Sequence, residues 1–410
     1  MNLLIVHNHY RIPGGEDTVV QNEYELLREM GHEVTLYTRH NDEIGGLTGF
    51  KRLALPFEFI YSKKTAKDIT ELIKAKKIDV VMVHNTLSLI SPSVYYAAVK
   101  AGVPVVQTIH NFRLLCPKAT LYRDGHICED CIQKGLGCAL RHRCYRGSFT
   151  QTLLCVISTK IHRKKGIYGK LDYICLTGFN RDKLLLLSGT DKDRIHIKPN
   201  FTANAGNMIP YDDRKNTFIY AGRLEEDKGI TELLEAWFLL ETKAKDPKDV
   251  PRLEVDGTGS LSQTARKYVE KHGLKRVNIN DPLPHDDIIK EIARAKALIL
   301  PTKWYEGFPM TIAEALTAGT PVIGTDLGNT GDLIKGGNNE APHTNLPFTG
   351  LGALIDPADM AGSIARIISS WQEFSYNKDA FEKAAVKYGK EENKRIFEEI
   401  LAEVKNRPVR

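Results

Sequence analysis

No stretch of this 410-residue chain approaches the roughly 20 consecutive apolar residues that cross a bilayer as a helix. The opening, MNLLIVHNHYRIPGG, lacks a basic n-region and a small-residue cleavage site. It reads as the first strand of a protein that stays in the cytoplasm. The dinucleotide fingerprint GxGxxG is also missing, and with it the usual mark of a nicotinamide dehydrogenase. Cysteine is scarce outside one segment: of 7 in the chain, 5 lie between residues 116 and 144. Acidic residues are short in the first half. Residues 1–200 hold 29 Lys and Arg against 19 Asp and Glu, and the remainder 28 against 32. The net charge is therefore +10 in the first half and −4 in the second. Such a split suits an anionic bilayer surface or a phosphate-bearing substrate on the basic side.

What is present is an alternation. With 42% apolar and 26% charged residues the chain is globular, and its length exceeds what one core usually serves. Short apolar runs at 3–6, 33–37, 80–83, 103–108, 153–157 and 173–176 read as strands, with helical spacing between several of them. After a polar stretch near 200–215 the pattern restarts, with strands at 217–220, 252–255, 277–280, 297–300 and 321–324. The expectation is α/β: two parallel-sheet domains, 1–205 and 206–375, with a helical tail over 376–410 that bridges them. In such sheets ligands bind beyond the carboxyl ends of the strands, so the loops there carry the functional information.

Three of those loops suit a charged ligand. HYRIPGGED places Gly14 and Gly15 at a strand-to-helix turn, where backbone amides approach an anion closely. GRLEEDKG sets Arg223 and Lys228 at the start of a helix, a planar fork and a mobile point charge that together match a diphosphate. EGFPMTIAEALTAGTPVI puts Glu306 before a helix and Glu314 inside it, and carboxylates accept hydrogen bonds from vicinal hydroxyls. Each feature alone also reads as ordinary turn glycine or surface charge.

Taken together, the R-x4-K element at 223–228 and the E-x7-E element at 306–314 resemble the signature of glycosyltransferase family 4. TIHN at 108–111 and KPN at 198–200 extend the resemblance over nearly the whole chain. It implies a GT-B fold, two Rossmann-like domains facing across a cleft, and retaining transfer of a hexose-type sugar from a UDP- or GDP-sugar. Arg223 and Lys228 would then bind the diphosphate, and Glu314 the ribose hydroxyls. Glu306 would face the donor sugar, supported by Gly307, Phe308, Pro309 and Met310. Gly15 would lie near the diphosphate across the cleft, His110 on the acceptor side, and the loop from Leu283 near the base. No metal would be needed for catalysis.

The stretch HNFRLLCPKATLYRDGHICEDC resembles the branch that builds bacterial surface polysaccharides. That implies a glycan acceptor, lipid-linked and reached at the inner face of the cell membrane through the basic N-terminal domain.

Cys128, Cys131, Cys138 and Cys144 have spacing that fits a structural zinc, with Cys116 as an alternate ligand and His126 and His142 as others. Reduced structural thiols and a disulfide or redox pair fit the same spacing. Three other functions suit parts of the chain: a dehydrogenase, a zinc-bearing nucleic-acid binder and a non-catalytic nucleotide-sugar sensor. The first lacks its fingerprint, and the second leaves Glu306 and Glu314 without a purpose, so no nucleic-acid partner is expected. His7, His9 and His84 stand at strand ends, where acceptor contact and plain structural bonding are equally compatible, and Glu16 suits either an acceptor hydroxyl or the capping of the following helix. His272, His285 and His343 show no partner pattern.

Overall fold

The computed structural model describes residues 1–11, 14–46, 49–202, 208–336 and 347–409. His343 and residues 203–205 lie outside the described residues. The chain forms two compact units. One comprises residues 1–123, 128–200 and 390–410, and the other 124–127 and 201–389. The tail is divided between them: helix Lys378–Lys387 belongs to the second unit and helix Lys390–Asn406 to the first.

The first unit is built on six parallel strands: β1 (Asn2–His9), β2 (Glu33–His40), β3 (Val80–Val83), β4 (Val105–Ile109), β5 (Asp172–Cys175) and β6 (Ile195–Ile197). Their order is β2-β1-β3-β4-β5-β6. Leu3 to Val6 and Val80 to Val83 are continuous buried runs, as expected where helices cover both faces of a parallel sheet. The order reverses between β1 and β3, which opens a crevice at their carboxyl ends.

Residues 153–157, expected as a strand, lie inside helix Phe149–Lys164. Ser148 caps this helix through its hydroxyl, and His162, Arg163 and Lys164 occupy its last turn. Buried Thr152, Cys155, Val156 and His162 recur at helical spacing, so the 16-residue span overrides the β preference of a five-residue apolar run.

The second unit carries β7 (Lys215–Ala221), β8 (Arg252–Asp256), β9 (Val277–Asn280), β10 (Ala295–Leu300), β11 (Val322–Thr325), β12 (Phe348–Thr349) and β13 (Gly352–Ile355). The order is β9-β8-β7-β10-β11-β13-β12, parallel except for the β12–β13 edge pair. Here the direction reverses between β7 and β10. Trp237, Phe218, Leu253 and Ile364 form part of the core beneath this sheet. Both units therefore have the doubly wound organisation expected of them.

Candidate donor site and the histidine cluster

The reversal in the second unit brings together two loops that are far apart in sequence. Arg223 and Lys228 follow β7, and Glu306 follows β10. Lys228 Nζ stands 2.5 Å from Glu306 Oε1, and Thr302 Oγ1 donates to the same oxygen at 3.0 Å. Lys303 N donates to Asp227 O at 2.9 Å, which ties the loops together at the backbone. Lys228 Nζ also lies 5.3 Å from the centre of the Trp304 ring, a cation–π distance. The Arg223 side chain is exposed, while its carbonyl accepts from Tyr220 OH at 2.6 Å. The backbone is thus fixed and the guanidinium left in solvent.

Gly229 explains how the GRLEEDKG loop turns so tightly. Its φ is +71°, and a Cβ there would sit 1.9 Å from Pro301 O. Only glycine fits both the left-handed backbone and the approach of the next loop. Burial raises the Asp227 carboxyl above its ordinary range, against the pull of Lys228 and Arg223.

Helix Met310–Thr317 starts from Pro309 with no side-chain cap, directly after the Glu306-Gly307-Phe308 loop. Asn329 Nδ2 lies 2.6 Å from both the Glu306 and Gly307 carbonyls, so donations from this amide pin the loop. Phe308 is buried, with its ring edge-on to Tyr388 at 6.0 Å. Glu314 is buried on the helix, and His285 Nε2 lies 2.9 Å from its Oε1. His285 is the first residue of helix His285–Arg294, two positions after exposed Leu283. Sequence reasoning found the two glutamates but missed Trp304, Asn329 and His285. Only the LPHDD loop after β9 hinted at the last of these.

In the first unit, Gly14 is the N-cap of helix Gly15–Glu29, with extended backbone. A Cβ on Gly14 or Gly15 would meet nothing within 4 Å, so neither packing nor backbone strain within the chain demands glycine there. Asp17 closes the turn, accepting from Gly14 N at 2.8 Å. Its Oδ1 lies 3.0 Å from His7 Nε2 and 2.8 Å from His9 Nδ1. Burial raises the Asp17 carboxyl, but the bonds from His7, Gly14 and His9 outweigh it and hold it low.

His110 follows β4 and stacks on His84, which follows β3, with 2.9 Å between His84 Nδ1 and His110 Nε2. Burial holds both imidazoles well below the usual histidine range, so they are neutral at physiological pH. Glu16 accepts from Tyr10 OH at 3.3 Å, and burial pushes its carboxyl up to about 7 despite the nearby Arg113 guanidinium.

All seven cysteines are free thiols. Cys116 and Cys131 are buried and hydrogen-bonded to each other, an interaction that lowers the Cys116 thiol to about 6 and raises that of Cys131. Cys144 lies close enough for Cys116 to raise its thiol further, beyond the effect of burial. Cys128 Sγ points to Asp130 Oδ2 at 3.7 Å, and Cys138 packs against the Cys131 cluster. Among the described residues, the one group of three or more ligand side chains with atoms within 4.8 Å of one another is His7, His9 and Asp17. The cysteines do not form such a group. Cys155 and Cys175 are buried, the former in a helix and not in the strand expected for it.

Similarity to known proteins agrees with this fold. The profile described as "Glycosyl transferases group 1" matches residues 207–387, and that of "Glycosyltransferase Family 4" matches residues 13–129. An uncharacterized 42.6 kDa protein in the cps region of Klebsiella pneumoniae is 27% identical over 82% of this chain and 88% of its own. The lipopolysaccharide 1,6-galactosyltransferase of Escherichia coli K12 is 30% identical, over 38% of this chain and 39% of that protein. In three dimensions, the apo lipopolysaccharide outer core galactosyltransferase WaaB superposes with a TM-score of 0.61 at 17% identity, covering 98% of this chain and 99% of that one. With both profiles matched, one on each unit, and two Rossmann-like sheets, this chain belongs to the GT-B glycosyltransferases of family 4.

Proposed function

We propose that this glycosyltransferase moves a hexose-type sugar, with retention, from a UDP- or GDP-sugar to a lipid-linked glycan acceptor in bacterial surface-polysaccharide assembly. The observation that carries the donor half is the Lys228–Glu306 pair at the strand-order reversal of the second unit, with Arg223 on the same loop as Lys228.

Glycosyl transfer leaves negative charge on the departing diphosphate, and fixed cations in a partly dry site stabilise it. Lys228, held between Glu306 and the Trp304 ring, is such a cation, and Arg223 offers a guanidinium to the same ligand. On binding, the diphosphate takes the lysine from Glu306, which frees that carboxylate for the hydroxyls of the sugar. Glu314 holds the ribose, and His285 orients it. Retention follows from the family reading: the leaving phosphate takes the acceptor proton on the same face, so no second carboxylate of glycosidase type is required.

The acceptor half is supported by the cps-region and lipopolysaccharide relatives and by the basic first half of the chain. Among the described residues no helix is long and apolar enough to cross a membrane. Exposed Phe57 and Phe149 on the first unit fit a peripheral contact with an anionic bilayer.

Calorimetric titration with UDP, GDP and ADP, without added metal, tests the donor half. One nucleotide is expected to bind preferentially, with binding lost in Arg223→Ala and Glu314→Ala. Unchanged binding in both variants would remove the assignment.

A further inference from the structure

A line of buried charges and rings runs through the first unit. Glu23 lies in helix Gly15–Glu29 and Lys198 follows β6; both are fully buried. Lys198 Nζ stands 2.9 Å from Glu23 Oε1 and donates to Asn393 Oδ1 at 3.2 Å. It also lies 4.5 Å from the centre of the Phe397 ring. The other carboxylate oxygen, Glu23 Oε2, faces His84 Nε2 at 3.5 Å. His84 Nδ1 in turn meets His110 Nε2 at 2.9 Å.

These contacts favour one placement of the protons. Glu23 Oε2 stands beyond a formed hydrogen bond, but a carboxylate oxygen turns only lone pairs toward the ring, so its field favours the hydrogen on His84 Nε2. Its Nδ1 is then a lone pair, and the hydrogen between the two rings belongs to His110 Nε2. His110 Nδ1 is left as an acceptor. A lone pair on His84 Nε2 would instead face the Glu23 charge across a buried gap. The His84 backbone is held as well, since Gln107 Nε2 donates to its carbonyl at 2.8 Å.

A buried ion pair contributes little net stability over apolar side chains of the same size. The geometry points to a different use for this one: Glu23 and Lys198, acting through His84, are positioning residues that hold His110 as its Nε2–H tautomer. That His110 then serves the acceptor side rests on the family resemblance and on the transfer reaction proposed above. The groups that face the two rings are His7, Glu23 and Lys198, together with each ring itself.

The test needs no substrate. Long-range proton–nitrogen spectra of the full chain with isotope-labelled histidine report the tautomer of each ring. In the parent, His84 and His110 are both expected as Nε2–H. In Glu23→Gln, Lys198 keeps the amide oxygen and turns the amide NH2 toward His84 Nε2. Both rings are then expected to invert to Nδ1–H. The double variant Glu23→Gln/Lys198→Met leaves no unpaired buried charge, so it covers a failure of the single variant to fold; there His110 is expected in both tautomers. A folded variant whose His110 stays wholly Nε2–H, or a parent whose His110 is Nδ1–H, overturns the proposal. Absence of nucleotide binding would sink the donor reading and leave this result untouched.

Discussion

Lys228 and Glu306, 78 residues apart in the chain, meet at 2.5 Å because β7 and β10 are neighbours on either side of the strand-order reversal. The pair holds a cation where a diphosphate is proposed to bind. Lys228→Met is expected to lower kcat by about 10²–10³-fold, the usual loss when one charge-stabilising donor is removed. Steady-state turnover of the donor selected by calorimetry, with circular dichroism to confirm folding, checks this. A loss below threefold would remove Lys228 from the chemistry.

The His285–Glu314 contact joins a largely exposed ring to a buried carboxylate. His285→Ala is expected to weaken nucleotide binding about tenfold, near the worth of one hydrogen bond to a charged group. Glu314→Ala is expected to weaken it more. Equal affinity of the His285 variant and the parent would show that the ring does not orient the carboxylate.

Gly229→Ala is a stability prediction. The new methyl would lie 1.9 Å from Pro301 O in a left-handed backbone, and neither neighbour is a flexible side chain. A loss of more than about 3 kcal/mol is expected, combining backbone strain with overpacking. Urea unfolding measures it. A midpoint within error of the parent would mean that the two loops separate at little cost.

Glu16 gives a pH dependence of stability. Its folded pKa, about 7, lies above the ordinary carboxyl value of 4.5, so the native state binds the proton more tightly than the unfolded chain. The stabilisation is complete below 4.5 and is lost as pH rises through 7. Glu16→Gln is expected to remove that loss, flattening the profile by about 2 kcal/mol after allowance for partial solvent screening. Denaturation midpoints of both proteins across this window decide it, and parallel profiles would contradict it.

We propose a structural zinc for the cysteine-rich segment, which requires Cys128, Cys138 and Cys144 to close on Cys131, with Cys116 as the alternate ligand. One equivalent of zinc in protein purified without added metal, with a fall in Tm on chelation, is the expected outcome. Metal-free protein with unchanged Tm would leave reduced thiols as the reading of that segment.

Much of this was legible in the sequence because parallel strands buried on both faces must be short and apolar. Leu3 to Val6, Val80 to Val83 and 297–300 announced themselves in that way. The loops that follow the strands carried Arg223, Lys228, Glu306 and Glu314 at fixed spacing. The five apolar residues at 153–157 were ambiguous, since a short run has no period of its own; the Ser148 cap and the length of the helix decided them. The sequence determined the doubly wound class, the residue types of the candidate donor site and its glycines. Tertiary structure alone decided the pairings of Lys228 with Glu306, His285 with Glu314 and Lys198 with Glu23. Each joins residues separated by many intervening elements, and side-chain contacts of that kind follow from strand order and helix packing, which no local pattern encodes.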